Sequence, residues 1–424
     1  MSDSQKSTTS GEMPVEVIEP DLAFIDQAKD MGGETFKQCF QCSTCAGTCP
    51  VSPENAPFPR KEMLWATWGQ KEKLIKNPDI WLCHQCNDCS ALCPRGARPG
   101  DVLAIMRNFA YQQYAFPRFM GKALSDVKFL IPILLLPVIL IGLVVMMSGP
   151  SIEWASKTIP WFVHETYYAG SAAEPGPFSL VIIDPLFGGL FTLAILSMLF
   201  SAMRFWKDIN NARPIREGLQ PLSFVAAVIE AVKEIAGHGK FGDCEASKPR
   251  QLGHLLTMYG CIGLFITTGI VFVGMYFGSF VGMELHLPLK LYHPVKILGL
   301  VSAAAFAAGC YLLAYRRATD PDNAGLTNYY DWLFIAVVGT LAATGILCNV
   351  FRLMNLEMAA YATYFVHLVG VFFLLVYFPF SKFAHICYRT LAIVHAKQTR
   401  RFDVLPKSVA APAAPAEAEG DSAA

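Results

Sequence analysis

The sequence predicts an all-α protein in two parts, a small cysteine-rich helical domain followed by a bundle of six membrane-spanning helices. Three observations predict it. Of the 424 residues, 53% are hydrophobic and only 16% charged, where soluble domains carry about 25% charge. Six apolar segments are each long enough to cross a hydrocarbon core of about 30 Å as a helix. Eight of the 13 cysteines fall between residues 39 and 93, in two runs of identical spacing. Lys+Arg and Asp+Glu both number 34, so the net charge is zero. This balance and hydrophobicity exclude a disordered chain and a nucleic-acid binder that works through bulk positive charge. The length excludes a disulfide-stapled mini-protein.

Residues 1–30 are polar and expected to be disordered. They contain no apolar h-region, so no secretion signal is expected, and a reducing compartment favours metal binding over disulfides. Residues 31–115 form the cysteine-rich domain, with helical stretches at 60–77 and 101–114. Asp101 opens the second of these after Pro99-Gly100. A linker is expected over 116–126. The bundle occupies 127–400, with spans at roughly 127–148, 180–203, 253–281, 294–315, 330–351 and 359–381. Pro132 and Pro137 should bend the first. The glycines of the third span and the small residues of the fourth are read as close helix packing. Residues 401–424, rich in Ala, Pro and Glu, are expected to be a disordered tail.

Orientation follows from the basic residues that flank the spans. The loops 204–252 and 316–329 and the chain after 381 hold sixteen Lys and Arg, whereas 149–179, 282–293 and 352–358 hold three. Six crossings then place both termini and the cysteine domain in the cytoplasm, and the protein in the cytoplasmic (inner) membrane.

The cysteine runs read Cys39-x2-Cys42-x2-Cys45-x3-Cys49-Pro50 and Cys83-x2-Cys86-x2-Cys89-x3-Cys93-Pro94. This is the run for a [4Fe–4S] cluster, repeated. Three thiolates at intervals of three wrap one cubane, and the fourth turns away to the other. The expected sets are Cys39, Cys42, Cys45 with Cys93, and Cys83, Cys86, Cys89 with Cys49. Zinc would need four ligands, usually as two separated pairs. The 44-residue offset between the runs, bridged by amphipathic helical sequence, suits a helical ferredoxin. Trp65, Trp68 and Trp81 are read as packing its core. Arg60, Lys61, Lys71, Lys73, Arg95 and Arg98 make it locally basic, either as a solvated face or as a docking surface for an acidic redox partner.

An ionisable residue inside a membrane span is a functional hypothesis by default. His367 and His385 are 18 residues apart, five turns of one helix, hence on one side and about 27 Å apart along its axis. Axial haem ligands must come from different helices. His254 at the start of the third span matches the depth of His385, so this pair is expected to hold an inner haem b. His293, entering the fourth span from the outer side, has two readings. It either ligates an outer haem with His367 or lines a quinone pocket with Tyr292 and Lys296. His286 in the same outer loop is a weaker candidate. His238, His395 and His164 receive no role.

The first 115 residues resemble the C-subunit of heterodisulfide reductase, a helical two-cubane ferredoxin. The stretch from His367 through Phe378-Pro379-Phe380-Ser381-Lys382 to His385 resembles the last helix of the respiratory nitrate reductase gamma subunit. His254 falls where that family places its first histidine, and Leu264 stands where the family has the next. The fusion resembles the C-subunit of the quinone-interacting membrane-bound oxidoreductase complex of sulfate reducers. The fold this implies is a two-[4Fe–4S] ferredoxin domain followed by a six-helix bundle of cytochrome b type. The resemblance further implies menaquinone as substrate, cytoplasmic flavin and iron–sulfur subunits as partners, and adenylylsulfate reductase beyond them. The alternatives are the same role for a heterodisulfide- or sulfite-type reductase module, and a non-haem membrane anchor for a ferredoxin domain.

Overall fold

The computed structural model describes residues 17–54, 56–158, 178, 180–212, 219–241, 248–282, 285, 289–320 and 324–403. Among the described residues the regular elements are all helices, with no strand. The cysteine domain is built from α1 (Leu22–Ala28), α2 (Thr44–Gly47), α3 (Arg60–Thr67), α4 (Lys71–Ile75), α5 (Asp79–Leu82), α6 (Asp88–Ala91) and α7 (Pro99–Tyr114). The expected disorder over 1–30 is corrected for its described part. Asp21 caps α1 by accepting from Phe24 N at 2.9 Å, and Phe24 and Ala28 are each 1% exposed. Burying an aromatic ring offsets the entropy of ordering this short segment. Residues 1–16 lie outside the described set.

The helix expected over 60–77 is two helices, α3 and α4, separated at Gly69. Its φ of +66° belongs to the left-handed region, and a Cβ there would meet Asp21 N at 2.9 Å, so the turn needs glycine. Phe36, Met63, Leu74, Ile80 and Ile105 fill the domain core. The linker expected over 116–126 is instead largely helical, α8 (Arg118–Ser125). Leu124 is fully buried, and Gly121 lies so close to α7 that a Cβ would come 2.6 Å from Ala115 Cβ.

The membrane part contains α9 (Leu130–Thr158), α10 (Leu180–Ala212), α11 (Phe224–Gly237), α12 (Lys248–Tyr276), α13 (Gly278–Val281), α14 (Pro294–Thr319), α15 (Tyr329–Leu353), α16 (Glu357–Val376) and α17 (His385–Gln398). Six helices, α9, α10, α12, α14, α15 and α16, are long and apolar enough to cross a membrane. Ile131, Leu193, Phe265 and Val301 are exposed on them, a surface suited to hydrocarbon rather than water. The second span runs to Ala212, beyond the expected 203. α12 and α14 pack closely because Gly260 and Gly309 remove side chains at the crossing. A Cβ on Gly260 would lie 2.5 Å from Phe306 N, and one on Gly309 2.5 Å from Thr257 N.

The sixth helix is not continuous, which corrects the five-turn register between His367 and His385. α16 ends at Val376, and two 3-10 turns, Phe378–Phe380 and Lys382–Ala384, precede α17. Pro379 has no N–H to continue the ladder, and Ser381, in extended conformation, accepts from Phe383 N at 3.2 Å to start the next turn. Lys382 pairs with Asp331 at the start of α15, and Arg317 reaches the same carboxylate at 3.0 Å. Tyr330 donates to Phe380 O. Removing Asp331 strands two cations, so Asp331→Ala is expected to lower stability by about 3 kcal/mol. Denaturant unfolding in detergent checks this, with Asp331→Asn, which keeps the Asn328 capping bond, as the comparison. Equal stability of all three proteins would show that the ion pair does not hold the break.

The cysteine domain rests on the bundle through an aromatic cluster. Trp81 is 1% exposed and meets Tyr111, Phe205 and Tyr388, so it packs the contact between the two parts as much as the small core. Trp65 is half-buried, and Trp68, 45% exposed, does not pack the core. Arg401, expected in the disordered tail, is 6% exposed and pairs with Asp79. Residues 404–424 lie outside the described set.

Candidate functional site

Two cavities lie in the cysteine domain. Cys39, Cys42, Cys45 and Cys93 line the first. Cys49, Cys83, Cys86 and Cys89 line the second. The fourth cysteine of each run thus stands with the first three of the other. The cause is local. α2 and α6 each open on a residue in the left-handed region, Ser43 with φ 69° and Asn87 with φ 69°. These turns let each loop curl round a cavity while the short helix carries its last cysteine across to the other.

The donor set suits iron–sulfur clusters. Burial, with Cys39, Cys42 and Cys93 adding to it, pushes the Cys45 thiol up to about 11. Burial and Cys83 push Cys49 up to about 12, and Cys89 rises for the same reasons. Such crowded thiols ionise together only around positive charge, which the iron of a cluster supplies. Among the described residues no three His, Cys, Asp or Glu side chains form a group able to hold one metal ion. Zinc needs four ligands within about 2.3 Å of a single centre. Gln85 N and Ala97 N donate to Cys83 Sγ and Cys93 Sγ, each at 3.3 Å.

The histidines share a pattern. His254 Nδ1 lies 2.9 Å from His238 Nε2. His367 Nδ1 lies 3.0 Å from Thr344 Oγ1, and His385 Nδ1 lies 2.5 Å from Lys382 O. In each ring Nδ1 is engaged, so an iron would take Nε2, the arrangement usual for metal-binding histidines. Burial pulls His385 down to about 4, which keeps it neutral, as a ligand must be. His254 lies in the second turn of α12, and His385 opens α17. His367 packs on α15 beside Thr344 and Gly345. Leu264 joins an apolar cluster with Phe306, Cys310 and Leu341.

His293 behaves differently. It caps α14, its Nδ1 accepting from Val295 N at 3.3 Å, which in a neutral ring puts the proton on Nε2. Tyr292 is 73% exposed under Lys290, whose ammonium sits 5.8 Å from the ring centre, and Lys296 follows one turn into α14. His286 and His164 lie outside the described residues.

Sequence reasoning missed the three arginines that hold the Cys83–Gln85 loop, two of which reach it from the membrane part. Arg107 donates to Ile80 O at 3.0 Å, Cys83 O at 3.1 Å and Gln85 Oε1 at 2.8 Å. Arg389 donates to Cys83 O and reaches the His84 ring nitrogens, each at 3.0 Å. Arg250 donates to Gln85 O at 2.8 Å and to His84 O. Burial, with Arg389 and Arg250 beside it, holds His84 well below the usual histidine range. A signal existed, since Arg250 precedes His254 by one helical turn and Arg389 follows His385 by one. Of the basic residues expected on the domain surface, Lys61 is engaged with Asp79 at 2.6 Å and Arg98 with Asp101 at 2.5 Å.

Residues 35–97 match the family model of the 4Fe-4S dicluster domain, and residues 131–404 match that of citrate utilization protein B. The chain is similar to the C-subunit of the H(2):CoB-CoM heterodisulfide,ferredoxin reductase of Methanothermobacter marburgensis, 36% identical over 91 residues, 21% of this chain and 49% of that one. It is similar to the iron-sulfur C-subunit of the CoB–CoM heterodisulfide reductase of Methanopyrus kandleri, 29% identical over 116 residues, 26% of this chain and 57% of that one. It is also similar to citrate utilization protein B of Escherichia coli, 26% identical over 373 residues, 84% of this chain and 88% of that one. The chain thus spans about half the length of the heterodisulfide reductase relatives. No solved structure matches. The sequence reading named the heterodisulfide reductase likeness but not the family of the membrane part.

Proposed function

The chain belongs to the citrate utilization protein B family, and from that premise and its geometry we propose a membrane electron-transfer protein that links a quinone pool to a soluble oxidoreductase. The observation that carries the reading is a dicluster domain docked, through Arg250 and Arg389, on the ends of the two helices that carry His254 and His385. When bound, b-haem and [4Fe–4S] clusters carry one electron at a time, so a two-electron quinol is oxidised in two steps. His254 and His385 offer Nε2 to an inner haem while His238 and the Lys382 carbonyl fix their rings. His367, with Nδ1 held by Thr344, is the candidate ligand of a second haem. Cys39, Cys42, Cys45 and Cys93 hold one cluster, and Cys49, Cys83, Cys86 and Cys89 the other. His293 is assigned to the quinol site with Lys296 and Tyr292, because a ring whose Nδ1 accepts a hydrogen bond has no lone pair left for iron.

The excess of Lys and Arg in the loops 204–252 and 316–329 and after 381 supports a topology with the cysteine domain and both termini in the cytoplasm and the bundle in the inner membrane. The resemblance of the fusion to the C-subunit of the quinone-interacting membrane-bound oxidoreductase complex suggests flavin and iron–sulfur subunits as the soluble partners, with menaquinol as donor and adenylylsulfate reductase as the further acceptor. A second reading, favoured by the relative that covers 84% of this chain, has the same relay serve an oxidoreductase of citrate utilization. The test reads pyridine haemochrome per polypeptide and reduction by a menaquinol analogue. A b-type α-band that the quinol reduces is expected, and its absence leaves only the non-haem anchor. In the same assay His293→Ala should keep its haem and lose quinol oxidation about 100-fold or more. Loss of haem instead would return His293 to the iron.

A further inference from the structure

Three guanidinium groups converge on one loop. Arg107, Arg250 and Arg389 together engage the carbonyls of Cys83, His84 and Gln85, and this loop carries two thiols of the second cysteine cavity. Two of the three come from the membrane part, Arg250 on α12 and Arg389 on α17. The first cavity has no such attachment among the contacts described, and one of its thiols lies at the surface. Cys42 is exposed, whereas Cys83, Cys86 and Cys89 are buried. Beside it Phe40 is 58% and Leu92 57% exposed, with Arg95 5.8 Å from the Phe40 ring centre.

We propose that the arginine clamp sets the order of the carriers: the second cavity is the entry site nearest the membrane, and the first is the exit to the soluble partner. This deepens the electron-transfer reading and rests on it. One electron would leave a ferrous b-haem, oxidising it to ferric, and would enter the cluster that Cys49, Cys83, Cys86 and Cys89 would hold, reducing it from its 2+ to its 1+ state. It then passes to the cluster at Cys39, Cys42, Cys45 and Cys93 and on to a flavin acceptor of the soluble partner. No proton moves, and the arginines stay charged throughout. Their positive charge favours the more negative, reduced cluster, so the clamp raises the potential of the entry cluster relative to one without it. His84 sits inside the clamp, its ring against Arg389, and fixes the loop at the helix ends that carry His254 and His385.

The test is a dithionite titration of the full-length protein followed by electron paramagnetic resonance, in Arg250→Gln, Arg389→Gln and the matching Lys variants. Each Gln variant should lower the reduction constant of the second-cavity cluster about tenfold, 59 mV for one electron. The first-cavity cluster should move less than threefold. Lys variants, which keep the charge, should stay within threefold of the wild type, and they remain readable if a Gln variant loses its fold. Equal shifts of both clusters, or Lys variants that shift as far as Gln, would overturn the proposal. Dithionite bypasses quinol and haem, so the result stands apart from the wider reading. A haem-free protein whose entry cluster still responds to Arg250→Gln would sink the quinol relay and leave the clamp.

Discussion

His385→Ala is expected to abolish the inner haem and with it the reduction of both clusters by quinol, while dithionite still reduces them. The reason is structural. His385 opens α17 immediately after the two 3-10 turns, and its Nδ1 lies 2.5 Å from the Lys382 carbonyl. That bond fixes the ring, and burial keeps it neutral, so Nε2 is the atom left to coordinate the proposed haem. The residues one turn on, Tyr388 and Arg389, do not replace it, because they are committed to the aromatic cluster and to His84. The haemochrome yield should therefore fall by one equivalent per chain. Helical content and both cluster signals should persist, since the domain contact runs through Trp81, Tyr111 and Phe205 rather than through His385. Unchanged haem content would remove His385 from the ligand set.

The parts of this molecule that were legible in its sequence are those encoded locally. A cysteine run shapes its own loop, and an apolar stretch of some twenty residues has one way to satisfy its backbone in a bilayer, as a helix. Both were readable without neighbours. What was not legible depends on distant contacts. Residues 21–28 are ordered because Gly69 lets α1 approach and because Phe24 finds Phe109. The break after Val376 depends on Asp331, fifty-one positions from Lys382. His238 had no role in the sequence reading, since its partner His254 stands sixteen positions away on the next long helix, α12. The arginine clamp was hidden for the same reason. Arg250 and Arg389 read as ordinary topology-setting cations, yet both are turned onto a loop more than 160 residues away.

The crossing of the cysteine runs makes a sharper prediction than loss of a ligand alone. Cys86→Ser should remove one of two [4Fe–4S] resonance signals and about four of about eight irons per chain. Cys49→Ser should remove the same signal, although Cys49 belongs to the other run, because it lines the second cavity with Cys83, Cys86 and Cys89. Cys93→Ser should remove the other signal, because it lines the first cavity. Sequence order alone would pair Cys49 with Cys39 and Cys93 with Cys86, so the three variants separate the two ligand sets. The unaffected signal serves as the control for folding. α2 and α6 pack against each other between the cavities, so a domain that has unfolded would lose both. If Cys49→Ser and Cys86→Ser silence different signals, each run serves its own cluster and the crossed assignment fails. If they silence the same one, the cluster next to the loop that Arg250 and Arg389 hold is identified by its thiols.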